Sequence, residues 1–220
     1  MIRILRTIAF VLIVVVAALK TNAQPFIAEI QAFKKQDSIS SPAKNAVLFV
    51  GSSSFRKWTD VQSYFPNRTI INRGFGGSTL PDVIRYANDI ILPYHPKQVV
   101  IYCGDNDLAS SDTVTATTVT SRFKELFNIV RNGLPKATIT YVSIKPSPSR
   151  AKLRSKMEEA NSMIKDFLKT QKRTSFIDVY NPMLMANGKP KPEIFLGDSL
   201  HMNEKGYAIW KKEMKRYLKK

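Results

Sequence analysis

Ala46-Val47-Leu48-Phe49-Val50-Gly51-Ser52-Ser53-Ser54-Phe55 is the stretch that decides how this chain folds. Apolar residues run without a polar break into a glycine and three serines. A short run that is apolar at every position suits a strand buried on both faces, as in parallel sheets covered by helices. Gly51 permits a tight exit, and serines are favoured where a helix begins. The stretch reads as strand, turn, helix.

Four further short runs, mostly apolar and rich in β-branched residues, follow at 69–71, 98–102, 137–144 and 175–179. Helical spacing lies between and around them. Phe26, Ile30 and Phe33 predict a short first helix. Val83, Ile84, Ala87 and Ile91 line a second face, and Val119, Phe123, Leu126 and Val130 a third. Leu153, Met157, Ala160, Ile164 and Phe167 make another, and Tyr207, Trp210, Met214 and Tyr217 the last. Three-and-four spacing of this kind marks core-facing helices. Alternating strands and helices predict an α/β fold with a mainly parallel, five-stranded sheet. No repeat or linker divides the chain, so residues 24–220 are expected to form one domain.

Residues 1–23 have the layout of a secretory signal peptide: Arg3 and Arg6, an apolar run over 8–19, then Thr21-Asn22-Ala23. Twelve apolar residues fall short of the roughly 20 that span a bilayer, so no stable transmembrane span is expected after processing. A periplasmic or secreted protein is expected; retention of the segment as an anchor is the alternative. Cys103 is the only cysteine, which excludes an intrachain disulfide. The formal net charge of +17, falling to +14 without the signal segment, favours anionic neighbours. The basic tail from Lys211 reads as a solvated helix face or as a contact for an anionic envelope surface. Nucleic acid is not an expected partner, since no zinc-finger or aromatic RNA-binding spacing occurs.

The chemistry is expected where strands end. His95 and His201 are the only histidines, and His95 sits in Pro93-Tyr94-His95-Pro96, before a strand rather than after one. His201 lies three residues after Asp198, just past the long irregular stretch 181–200. The serines after the first strand stand where a nucleophile would gain exposure, although helix capping alone would account for them. After the second strand comes Asn72-Arg73-Gly74-Phe75-Gly76-Gly77-Ser78; after the third, Gly104-Asp105-Asn106-Asp107. A glycine lets a backbone N–H approach a ligand closely, and an asparagine amide is a neutral donor. Arg73 reads as a steering group for an anionic substrate or as a surface ion pair. Asp105 and Asp107 are expected to shape their loop. No metal-ligand spacing and no phosphate-cradling Gly-Lys-Ser/Thr is present, so neither a metal nor a cofactor is expected.

In this order the blocks resemble those of the SGNH, or GDSL-type, hydrolases. Its Ser, Gly, Asn and His map onto Ser53, Gly77, Asn106 and His201. The usual first block reads Gly-Asp-Ser; Ser52 stands in the aspartate position, as in a branch with Gly-Ser-Ser-Ser. The resemblance implies a three-layer α/β/α sandwich, flavodoxin-like in order, and a serine esterase or acylhydrolase. It implies Ser53 as nucleophile, His201 as base and Asp198 as its orienting carboxylate. The Ser53 and Gly77 N–H groups and the Asn106 amide would form the oxyanion hole. Small-molecule or glycan esters are the implied substrates, with short acyl groups expected because no long apolar lid is evident. A lysophospholipase-type lipid esterase and a non-catalytic envelope glycan-binding protein are the alternatives; a nucleotide- or flavin-binding module is a more distant third.

Overall fold

Five strands lie side by side in a computed structural model that describes residues 24–220. The expected signal segment 1–23 falls outside the described residues. The strands are Val47–Gly51 (β1), Ile70–Gly74 (β2), Gln98–Tyr102 (β3), Thr138–Val142 (β4) and Thr174–Ile177 (β5). The sheet order is β2-β1-β3-β4-β5 and every pairing is parallel. Helices are Ile27–Ile39 (α1), Ser53–Arg56 (α2), Val61–Tyr64 (α3), Leu80–Arg85 (α4), Ala87–Ile90 (α5), Asp105–Ser110 (α6), Ala116–Gly133 (α7), Arg154–Lys169 (α8) and Glu204–Met214 (α9).

Alternation along the strands creates the three layers. Leu48, Val50, Val99, Ile101, Ile139 and Tyr141 face a core shared with α1, α4, α5, α7 and α8. Val47, Phe49, Val100, Tyr102, Val142 and Ile177 face a second core beneath α2, α3 and α9. Burial on both sides is why β1, and β3 from Val99 onward, carry no polar alternation. The strand expected at 69–71 extends instead to Gly74 and takes in Asn72 and Arg73. As an edge strand, β2 tolerates polar residues that a central strand would exclude. The helical pattern around Val83–Ile91 divides at Tyr86, so α4 and α5 are separate short helices.

The second core is an aromatic wall. Trp58 stacks on Tyr207 with ring centroids 4.8 Å apart, and Trp210 meets Tyr102 at 4.8 Å and Phe55 at 5.8 Å. The Tyr207 hydroxyl donates to the Ser54 carbonyl at 2.9 Å. This wall binds α9 to the turn that opens α2, and so brings the C-terminal part of the chain under the first strand's exit.

Parallel register then places strand ends on one rim, with Gly51 opposite both Gly74 and Tyr102. Gly51 has φ +134°, and a Cβ there would overlap the Tyr102 carbonyl oxygen. Gly51→Ala should therefore destabilise the fold by about 3 kcal/mol or more in urea denaturation. Gly197→Ala, at a position with no heavy atom near an added Cβ, should stay within about 0.5 kcal/mol. Equal effects of the two changes would contradict this account of the rim.

Candidate active site

The turn after β1 is pinned by its neighbours. Ser52 N–H donates to the Tyr102 carbonyl at 2.9 Å, and Phe75 N–H to the Gly51 carbonyl at 3.0 Å. Ser52 and Ser54 are 1% and 2% exposed, whereas Ser53 between them is only half-buried. One serine of the three therefore reaches the surface. Its Oγ lies 3.0 Å from His201 Nε2.

His201 is held by a tight loop between Phe195 and Met202, which pair as an isolated antiparallel bridge. Leu196 N–H donates to the His201 carbonyl at 2.7 Å. Asn203 caps α9, accepting from the N–H groups of Lys205 at 3.0 Å and Gly206 at 3.3 Å. Within the loop, Asp198 Oδ1 accepts from Leu200 N–H at 3.0 Å and His201 N–H at 2.9 Å. Its Oδ2 faces His201 Nδ1 at 2.6 Å. The turn needs a left-handed residue, which is Ser199 at φ 55°. From the segment after β4, Ser149 donates its N–H and its hydroxyl to the Ser199 carbonyl, at 3.1 and 3.0 Å.

The hydrogen bond with the His201 ring, followed by the His201 backbone N–H, holds the Asp198 carboxyl well below the usual carboxylate range. An ionised carboxylate only accepts, so Nδ1 carries the proton and Nε2 turns a lone pair toward Ser53. The three side chains thus form a relay able to draw a proton from Ser53 Oγ.

The candidate oxyanion donors follow β2 and β3, the strands on either side of β1. Gly77 is exposed, and the nearest group to an added Cβ there is Asn106 Nδ2, at 3.7 Å. Asn106 Nδ2 donates to the Ser78 carbonyl at 3.2 Å, and its backbone N–H to Asp105 Oδ1 at 2.9 Å. Among the described residues neither the Ser53 nor the Gly77 N–H donates to another group. Such free donors at a strand-to-helix turn can meet a developing negative charge.

Arg73 forms an ion pair, one of its two expected readings, but a buried one, which corrects its placement at the surface or toward a substrate. It is 6% exposed. Its guanidinium pairs with Asp37 on α1, donates to the Tyr94 hydroxyl at 2.7 Å and lies over the Phe33 and Tyr94 rings. An α1 carboxylate and two aromatic faces satisfy it on the side of β2 away from Ser53. Asp107 accepts from Leu80 N–H at 2.9 Å and Arg122 at 2.8 Å, and burial raises its carboxyl pKa. It bridges the turns after β2 and β3. His95, at φ 44°, stands ahead of β3 and away from the rim. Cys103 is buried, and burial pushes its thiol well up. Among the described residues no group of three or more His, Cys, Asp or Glu is placed to hold a metal ion.

Sequence reasoning missed Ser149, whose role exists only through the fold. It also missed Lys145, 1% exposed at the end of β4. A lysine directly after the apolar run 137–144 was the available signal.

Residues 37–209 match the family model of the GDSL-like Lipase/Acylhydrolase family. The fold is similar to that of a Streptococcus pneumonia protein named as a candidate platelet activating factor, with TM-score 0.76 and 20% identity over 94% of this chain and 99% of that one. A GDSL-like lipase from Bacteroides thetaiotaomicron gives TM-score 0.73 and 19% identity, covering 86% and 96% of the two chains. A catalytic mutant of an acetylxylan esterase from Geobacillus stearothermophilus gives 0.63 and 16%, covering 80% and 94%. No significant match was found among curated proteins.

Asp198→Asn keeps the shape of the side chain but removes the charge that selects the imidazole tautomer. It should lower kcat on p-nitrophenyl acetate by about 10³- to 10⁴-fold. A loss below tenfold would mean that the carboxylate does not orient His201.

Proposed function

Because the chain belongs to the GDSL-like lipase/acylhydrolase family, a family of carboxylic ester hydrolases, we propose that it cleaves small esters through an acyl-enzyme on Ser53. The observation that carries the reading is the relay of Ser53 Oγ, His201 and Asp198, with contacts of 3.0 and 2.6 Å. Ser53 Oγ attacks the acyl carbonyl while His201 Nε2 takes its proton. The N–H groups of Ser53 and Gly77 and the Asn106 amide receive the oxyanion. The imidazolium, steadied by Asp198, returns the proton to the departing alcohol. Water then repeats the sequence on the acyl-enzyme.

Short acyl groups on sugars fit the site best. Ile39 and Leu196 are the large hydrophobic side chains that stand exposed among the described residues, so a long lipid tail would find little apolar surface. Beside α6 runs a cleft of about 400 Å³ whose lining mixes Asp112, Arg150 and Lys152 with Leu108, Pro148 and Leu153, and Ser149 joins it to the loop that carries His201. The acetylxylan esterase relative supports the same class of substrate. A lysophospholipid esterase is the second reading, favoured by the streptococcal relative's name. The N-terminal layout supports export to the periplasm or beyond. The positive tail supports residence near anionic envelope polymers.

The test is hydrolysis of p-nitrophenyl acetate, butyrate and octanoate, and of acetylated xylo-oligosaccharide, by the wild type and Ser53→Ala. The wild type should prefer acetyl, and the variant should lose about 10⁴-fold or more. A preference for octanoate would move the reading to lipid esters. Equal activity of the two proteins would remove Ser53 as nucleophile.

A further inference from the structure

Two carboxylates flank Asn106 in the chain, and a negative charge beside an oxyanion hole would oppose the charge that has to form there. Both are matched by cations. Asp107 pairs with Arg122 at 2.8 Å. Asp105 pairs with Lys145 at 3.3 Å, with side-chain exposures of 5% and 1%.

The second pair is the unusual one. An ammonium carries a large desolvation cost, and an apolar residue of similar volume in its place is often neutral or stabilising. Packing therefore gives no reason for a lysine here. Burial lowers the Lys145 pKa, and the facing Asp105 works against that shift. The ammonium also sits over the Tyr102 ring, 5.7 Å from its centroid. Its one hydrogen bond among the described residues goes to Asp105 Oδ2. That oxygen also accepts from the Tyr102 hydroxyl at 3.3 Å. Asp105 Oδ1 is then free to accept the Asn106 N–H at 2.9 Å, and Asn106 Nδ2 reaches the Ser78 carbonyl at 3.2 Å. The contacts run without a gap from the end of β4 through the end of β3 to the turn after β2 that carries Gly77.

We propose that Lys145 is a positioning residue for the oxyanion hole: by engaging Asp105 Oδ2 it fixes which carboxylate oxygen holds Asn106, and so sets where the Asn106 amide points. This rests on the reading of Asn106 as an oxyanion donor. Lys145 touches neither substrate nor the reacting atoms and acts through Asp105.

The experiment is a double-mutant cycle on p-nitrophenyl acetate hydrolysis, with wild type, K145M, N106A, K145M/N106A and S53A. A side chain that acts through Asn106 should matter only while Asn106 is present. K145M alone should lower kcat by about 10- to 100-fold with KM within about threefold. In the N106A background the same substitution should cost less than about threefold. If K145M fails to fold, D105A, which removes the acceptor of the Asn106 N–H and leaves Lys145 in place, goes through the same cycle with the same expected pattern. Equal losses in both backgrounds, or unchanged kcat in K145M, would overturn the proposal. Loss of activity in S53A beside an additive cycle would remove this inference alone. Full activity in S53A would remove the esterase reading and this inference with it.

Discussion

The Tyr102 carbonyl accepts the Ser52 N–H at 2.9 Å, and it occupies the space that a side chain at Gly51 would need. This contact between two neighbouring strand ends sets the direction in which the chain leaves β1. Ser53 consequently becomes the most accessible of three consecutive serines, with its N–H free at the start of α2. The Gly51 carbonyl holds Phe75 in turn, so the turn bearing Gly77 is tied to the same point. A parallel sheet makes this economical, since strands that run the same way finish on one rim and each exit can contribute a group.

Bringing His201 to that rim is a separate problem. It stands 148 positions from Ser53 in the chain, and its loop has little regular structure of its own. The aromatic wall solves it by burying Trp58, Tyr207 and Trp210 together beneath α2 and α9. Large rings supply apolar burial, and the Tyr207 hydroxyl fixes its orientation on the Ser54 carbonyl. Asn203 starts α9 just after His201, and Ser149 steadies the loop from the far side. Stability and site geometry therefore come from the same contacts at this end of the sheet.

Charge is managed differently at the site and on the surface. The chain carries a large positive excess, yet the carboxylates around the site each have an assigned partner. Asp198 faces His201, Asp107 faces Arg122, and Asp105 faces Lys145. Both carboxylates that flank Asn106 in the chain are thus matched by a cation.

The layers and the motif blocks are legible in the amino-acid order. Short apolar runs rich in β-branched residues, such as 46–50 and 99–102, suit strands covered on both faces, and three-and-four spacing marks the helices that cover them. The blocks around Ser53, Gly77, Asn106 and His201 were legible because a strand end followed by glycine, serine or asparagine is a local pattern. That Arg73 makes an ion pair is legible in the sequence, but not that the pair is buried, because its partners Asp37, Phe33 and Tyr94 come from segments far from it in the chain. Lys145 and Ser149 went unnoticed for the same reason, since neither contacts its own neighbours. Which serine is exposed, which carboxylate oxygen meets which donor and where a buried cation points were decided by tertiary structure alone. Periodicity records which face of an element is buried, whereas a hydrogen bond between strand ends depends on distances that only the packed sheet sets.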